Sequence, residues 1–408
     1  MDRFTHVILG GGMVAGYAAK EMVKQGVSAD QLCIISMDED LPYCRPPLSK
    51  QFVRGEEDEA AIFINDDGFY EDNDIEFVLN AWVRSVDLGE RELSSRKHTI
   101  GFENLLIATG AWPRQLDLPG DDLDGVHYLR TLVHSKTIRA DAAEAERAAI
   151  VGAGFIGMEL ASSLTQLGVE CTLIFREDHV MQGRFTERMS RFFEQYYAER
   201  GVRLIPRSEV TAIAGDERPN GVTLSDGETL PTDMVVIGAG VNPEIGLFEE
   251  GPLEIDDGII ANEYLETDVD GVYAAGDVVR YHDVIFDRAR RFEHEDNARM
   301  QGKHVARVML GERKPFKHVP HFYSDMFDLS WNYWGDRTLG ERVTYRGEVE
   351  SGEFVAWWTD ADDRVTACFT LGIPWKQAEL TAKIIRTRRQ IPPEVLADTS
   401  QSIEDLVE

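Results

Sequence analysis

The sequence predicts an α/β fold built on two strand–turn–helix–strand units, with a smaller α+β domain closing the chain. Near the start, His6–Leu9 is apolar enough for a buried strand, and Gly10, Gly12 and Ala15 make a GxGxxA turn. Val14–Val23 then has helical apolar spacing, and Leu32–Ile35 supplies a second strand. The pattern returns at Ala148: the strand AAIVG, Gly152, Gly154 and Gly157 as GxGxxG, a helix over Met158–Leu167 and a strand over Cys171–Phe175. One glycine-rich turn is a weak signal. Two of them, each framed by strand and helix, predict two Rossmann-like dinucleotide-binding domains, because glycine is needed where a pyrophosphate lies against backbone N–H groups at a helix start.

Composition bounds the function. The 408 residues suffice for about three domains, and 43% hydrophobic content gives ample core. A formal charge of -31 argues against nucleic acid or an anionic membrane as partner, and fits either a high-salt habitat or a plainly acidic, soluble surface. Cys33, Cys44, Cys171 and Cys368 are widely spaced, with no CxxC pair and so no dithiol or zinc signature. No metal site is expected. A reducing cytoplasm fits these thiols; the chain enters its first strand directly after MDRF, leaving no room for a signal peptide, and no apolar run reaches spanning length.

Between the two units, LPYCRPPLSK over Leu41–Lys50 is too polar and proline-rich for core and reads as an active-site loop. Pro46 and Pro47 fix the backbone, so Leu48, Ser49 and Lys50 leave a stiff platform, and Lys50 is either a cation aimed beside a cofactor or a solvated first-turn side chain. Residues 56–100 suggest a small β-meander with strands over Glu76–Leu79 and Ala81–Val86. LLIATGA over Leu105–Ala111 is a strand ending at Thr109 and Gly110, where a bound group can approach the backbone closely. Trp112 and Pro113 lead out of that domain. The carboxylate for each ribose belongs just after the second strand of its unit, which selects Asp38 and Glu177. Glu177 would accept from a 2′-hydroxyl and so favours NADH, whereas neighbouring Arg176 suits the 2′-phosphate of NADPH.

Further on, Asp233–Ile237 is a strand ending in GAGVNP, and TDVDGVYAAGDV over Thr267–Val278 delivers Asp277 to a strand end, suited to a sugar-like hydroxyl. Phe292–Leu310 reads as an amphipathic helix whose Ala298, Gly302 and Ala306 allow close packing. Strands over Phe354–Trp358 and Val365–Leu371, a helix over Trp375–Arg388 and one helical turn in the acidic tail Asp398–Glu408 complete the α+β domain.

The order GxGxxA, PYxRPPLSK, ATGA, GxGxxG, GD resembles the FAD- and pyridine-nucleotide-dependent reductases of the glutathione-reductase fold, in the branch of ferredoxin reductases and apoptosis-inducing factor. Within that branch VILGGGMVAGYAAKEMVKQGV, FREDHVMQGRFTERMSRFFEQYYAERGV and HFYSDMFDLSWNYWGD are most similar to monodehydroascorbate reductases. The resemblance covers essentially the whole chain. It implies an FAD-binding domain in two segments, 1–112 and 239–316, an NAD(P)H-binding domain at 113–238 and a C-terminal interface domain at 317–408.

The same resemblance places Gly10, Gly12, Ala15, Asp38, Arg45, Thr109, Gly110 and Asp277 at FAD, and Gly152, Gly154, Phe155, Gly157 and Glu177 at the nicotinamide nucleotide. It makes Lys50 and Glu159 an ion pair near the reacting edge of the flavin, with Phe155 gating the nicotinamide. On residues alone, Glu159 would be a first-turn carboxylate serving the helix dipole. In EHEDNAR, Arg299 stands where the reductases hold an acceptor, with Asn297 in place of a histidine, and Tyr323 stands at the aromatic position beside the flavin. Cys44 falls near the redox cysteine of related NADH oxidases and peroxidases. The implied activity is electron transfer from NADH, or NADPH, through FAD to a small acceptor, foremost the monodehydroascorbate radical. The alternatives are a ferredoxin or rubredoxin reductase with a protein acceptor, and a redox-sensing flavoprotein like apoptosis-inducing factor.

Overall fold

In the computed structural model, which describes residues 2–28 and 31–407, the chain divides into two compact units, each assembled from three separated segments. The first comprises Met1–Arg45, Glu59–Trp112 and Val241–Pro320. Its central strand β1 (Asp2–Leu9) leads through a glycine turn into helix α1 (Met13–Lys24) and then β2 (Leu32–Ile35). β1 lies parallel to β2 on one side and to a long strand, Thr99–Ile107, on the other. The sheet extends past β2 to the parallel β3 (Glu76–Val78). At its other end β4 (Val83–Asp87) and β5 (Glu92–Ser95) fold antiparallel onto β6 (Thr99–Ile107). Val272–Ala274 adds to β6 in parallel. The apolar runs Val7–Leu9, Leu32–Ile35 and Leu105–Ile107 form the buried centre.

Two expectations are corrected here. β1 begins at Asp2 rather than His6, because β6 runs beside it from its first residue onward, pairing Asp2 with Ile100; backbone bonding sustains a strand whose first two residues are exposed and polar. The expected meander is divided: β4 and β5 form its antiparallel part, but β3 belongs to the parallel side of the main sheet. Neighbouring sequence therefore serves opposite ends of one sheet.

The second unit comprises Pro46–Asp58, Pro113–Gly240 and His321–Glu408. A parallel sheet runs in the order Arg203–Ile205, Glu170–Ile174, Arg147–Val151, Met234–Ile237, Val126–Tyr128. The second glycine turn opens helix Phe155–Gln166. An antiparallel five-stranded sheet follows, in the order His321–Met326, Leu329–Gly335, Val365–Leu371, Glu353–Thr359, Arg342–Glu348. The expected helix Trp375–Arg388 is broken into Trp375–Ala378 and Leu380–Arg386, with the Thr381 hydroxyl donating to the Ala378 carbonyl at the break. In the tail, Ile403 and Leu406 are buried within turns rather than a helix, and Arg389 donates to the Leu406 carbonyl.

Pro46–Asp58 is held to the second unit by carbonyls of the stiff loop: Leu48 accepts from the Ser135 hydroxyl at 2.6 Å and Ser49 from the Ser163 hydroxyl at 2.7 Å. Lys50 therefore travels with the second glycine turn rather than the first.

In the first unit α1 packs against helix Glu295–Met309, and a Cβ on Gly302 would lie 2.7 Å from the Val14 carbonyl oxygen and 3.3 Å from the Tyr17 Cβ. Gly302 lets the two backbones meet, and Ala298 and Ala306 are buried on the same helix. Gly302→Ala should destabilise the protein by about 1–3 kcal/mol through overpacking, measured as a shift in denaturation midpoint. Gly68→Ala, in helix Asp67–Asp72 where an added Cβ meets nothing closer than 3.7 Å, should cause no loss. Equal midpoints for the two variants would refute the close-packing account.

Candidate active site

The two glycine turns have the same construction. Gly10 has φ +116° and an added Cβ would lie 2.3 Å from the Ala108 carbonyl oxygen; Gly152 has φ +100° and its Cβ would lie 2.4 Å from that of Gly238. Only glycine fits either place. Gly12 and Gly154 are the N-caps of their helices and neither has a side-chain cap; the space at Gly154 is open, and that at Gly12 is bordered only by the Arg45 guanidinium at 3.7 Å. First-turn N–H groups are thereby left for an anion. Gly157 brings its helix against the turn, since a Cβ there would lie 1.9 Å from the Gly152 oxygen; Ala15 takes the matching position in α1 and is fully buried.

In the first unit, Asp38 follows β2 with its carboxylate accepting from the Tyr43 hydroxyl at 2.9 Å, while its own N–H donates to the Ser36 hydroxyl. Arg45 lies over the Tyr43 ring, with a terminal nitrogen 3.7 Å from the position of a Gly12 Cβ. Gly110 has φ +75° beyond β6, and the Thr109 hydroxyl donates to the Glu244 carbonyl. Asp277, past strand Val272–Ala274, has its carbonyl bonded by Arg291. Beside it the Gly276 N–H donates to Gln301 Oε1 at 2.7 Å. Gln301 Nε2 and both polar atoms of Asn297, one helical turn earlier, are fully buried without a hydrogen-bond partner among the described residues. Buried amides are normally paired, so this helix start and strand end present polar groups suited to a bound polar ligand. Gln301 did not stand out in the sequence, because a lone Gln has no diagnostic spacing, and Tyr43 and Asn297 stood there only as members of the strings PYxRPPLSK and EHEDNAR.

In the second unit, Phe155 opens its helix and stacks with Phe322 (ring centroids 6.4 Å apart) and Trp331 (5.8 Å), with the Arg184 guanidinium over its face. Glu177 is exposed beyond strand Glu170–Ile174, and exposed Arg176 is directed toward Glu209 at 3.7 Å.

The densest polar cluster of that unit is built on Glu159. Its Oε1 accepts from Lys50 Nζ at 3.1 Å and from the Ser324 hydroxyl at 2.5 Å, and its Oε2 from the Ser49 hydroxyl. Lys50 and Glu159 are both buried. The expected ion pair is present, but the expectation that Glu159 serves the first turn is corrected: the helix begins at Phe155, so Glu159 lies in its second turn, pointing inward. Burying a carboxylate is tolerable only when its lone pairs are filled, and two serines from separate segments fill them. Nearby, burial and then the Glu159 charge push the Tyr197 phenol well above its ordinary value. The Tyr323 ring lies 5.9 Å from Lys50 Nζ and is 38% exposed.

Arg299 belongs to the first unit, in the second turn of helix Glu295–Met309, and Tyr323 to the second. Arg299 is bonded to Asp296, and its Nε lies 3.4 Å from Glu295. Cys44 is half-buried, and the Tyr17 hydroxyl hydrogen-bonds to its sulfur; burial first, then Cys44 and Glu295, push that phenol up. Burial pushes the Cys33 thiol up to about 12 and the Cys171 thiol up to about 11, and all four cysteines are free.

Residues 4–302 match the family model of the pyridine nucleotide-disulphide oxidoreductases. The chain belongs to that family. Residues 319–401 match the C-terminal domain of monodehydroascorbate reductase 3-like proteins. Among curated relatives, the peroxisomal monodehydroascorbate reductase 4 of Arabidopsis thaliana is 38% identical, over 87% of this chain and 77% of its own length. The peroxisomal monodehydroascorbate reductase 2 of Oryza sativa subsp. japonica is 34% identical, over 95% and 86%. A ferredoxin reductase from Rhodopseudomonas palustris superposes with a TM-score of 0.93 at 30% identity, covering 99% of this chain and 100% of that one.

The protein is thus an FAD-dependent NAD(P)H oxidoreductase. The uncapped α1 start at Gly12 and the unpartnered Asn297 and Gln301 amides fit FAD in the first unit; the open Gly154 and the stacked Phe155 fit the nicotinamide nucleotide in the second. Despite the family's name, no cysteine pair is present among the described residues to carry electrons onward.

Glu159→Ala should lower the unfolding free energy by about 3–5 kcal/mol, since it strands a buried ammonium. Ser324→Ala removes a single hydrogen bond and should cost about 1 kcal/mol. Denaturant titration ranks the two, and equal losses would show that the carboxylate is not the centre of the cluster.

Proposed function

We propose that this enzyme reduces the monodehydroascorbate radical with electrons from NADH. The match of residues 319–401 to the C-terminal domain of monodehydroascorbate reductase 3-like proteins carries this reading, because the rest of the chain has the form common to the wider family. Bound FAD supplies the conversion from a hydride donor to a one-electron acceptor. The protein's part is electrostatic. Lys50, clamped by Glu159, offers a fixed positive charge able to stabilise developing negative charge, and Ser49 and Ser324 keep the clamp from reorganising. Tyr323 presents a partly exposed ring next to that cation, and Arg299 presents a guanidinium for the oxygens of an enediol-type anion.

A second reading, a reductase for a ferredoxin-like protein, is supported by the full-length likeness to the Rhodopseudomonas palustris ferredoxin reductase. The chain's charge of -31 opposes docking of an acidic carrier. Stopped-flow reoxidation of the NADH-reduced enzyme by ascorbate radical, quinone, ferricyanide and ferredoxin separates the readings: fastest reaction with the radical supports the first, and with ferredoxin the second.

Arg299→Ala should weaken monodehydroascorbate turnover by about ten- to a hundredfold, the worth of one charge-assisted hydrogen bond, with flavin reduction by NADH nearly intact. Loss of every acceptor equally would make Arg299 structural. In the nucleotide site, Glu177→Ala should raise KM for NADH and relax discrimination against NADPH, read from steady-state kinetics with both. A wild type that already prefers NADPH would transfer the specificity role to Arg176.

A further inference from the structure

Asp296 is the second residue of helix Glu295–Met309, a position where a carboxylate ordinarily faces water and serves the helix dipole. Here it is 4% exposed, and its two oxygens have different partners: Oδ1 accepts from Arg299, and Oδ2 is bonded to His318 Nε2. His318 comes from the extended segment after the helix and is itself mostly buried, with its ring near Phe316. The three side chains form a line from that segment, through the helix start, to a guanidinium whose side chain is 34% exposed.

An arginine that must grip an acceptor has two requirements: its planar donors must be held in one orientation, and its charge must not be cancelled by what holds it. Glu295 and Asp296 supply the hold on two nitrogens but bring two negative charges to one positive. His318 relieves the second problem, because an imidazole N–H on Oδ2 draws Asp296 charge away from Oδ1, leaving more of the guanidinium's field for a ligand. We propose that Asp296 is the positioning residue for Arg299 and that His318, by sharing its carboxylate, sets how strongly Arg299 attracts an anionic acceptor. This rests on the reading of Arg299 as the acceptor's arginine.

The test uses holoenzyme variants Asp296→Leu, Asp296→Asn, His318→Phe and His318→Gln, with ascorbate radical and a small neutral quinone as acceptors. Asp296→Leu should raise KM for the radical about tenfold, as expected for an arginine freed to adopt other rotamers, with little change in kcat or in KM for the quinone. Asp296→Asn keeps an acceptor for Arg299 and should recover most of that loss. His318→Phe should raise the radical KM severalfold, and His318→Gln, which restores an N–H donor, should rescue it. Loss of kcat with both acceptors in step with a lowered denaturation midpoint would reduce Asp296 to a structural role and overturn the proposal. An unchanged radical KM in both Asp296→Leu and His318→Phe would overturn it too. Arg299→Ala separates the underlying reading: if that variant leaves the radical KM unaltered, the assignment of Arg299 is wrong; if it raises KM while Asp296→Leu does not, the assignment stands and the positioning inference falls.

Discussion

The carboxylate of Glu159 is the constraint on which the second unit's buried polar cluster depends. A charge taken out of water must be matched by a counter-charge and by hydrogen bonds to its remaining lone pairs. Glu159 finds the first in Lys50 and the second in Ser49 and Ser324. These partners come from the proline-braced loop and from the antiparallel sheet, so one side chain ties together three pieces of chain far apart in sequence. The arrangement fixes the Lys50 ammonium more firmly than the loop could alone. A cation that cannot move stabilises developing negative charge without the cost of reorganisation.

The first unit solves a different problem, the approach of backbone to a ligand. Gly10, Gly12 and Gly110 clear space or supply a backbone shape, and α1 meets helix Glu295–Met309 at Gly302 without a side chain between them. Two buried amides and an uncapped helix start are left over from this packing. In a protein interior such groups are costly unless something bonds them, which is why their coincidence beside Gly276 is informative about the cofactor. Arg299 emerges from the same helix with its charge partly matched by Glu295 and Asp296.

The glycine turns, the strands about them and the Lys50 loop were legible because their residue types answer to local rules: a positive φ, a helix period, a proline that fixes its own backbone. The errors have equally local causes. The start of β1 lay outside the apolar run because Asp2, Arg3 and Thr5 are polar, and β3 was assigned to the wrong neighbours because a strand of three residues carries no mark of which edge it will join. Helix Trp375–Ala378 and its successor read as one helix because their apolar spacing runs through the break.

The sequence by itself determined the two nucleotide units and the family, since each depends on residue types at short, characteristic spacings; the pair Lys50 and Glu159 was implied only through the family resemblance. Only the tertiary structure decided what surrounds them. Ser49 and Ser324 became partners of Glu159, Tyr43 of Asp38, and His318 of Asp296, through contacts between segments whose separation in sequence follows no rule. Hydroxyl, imidazole and amide groups are common on any surface. They gain meaning when the fold removes water from them, because a buried polar atom must then be bonded to a particular neighbour, and which neighbour is a property of the packed chain.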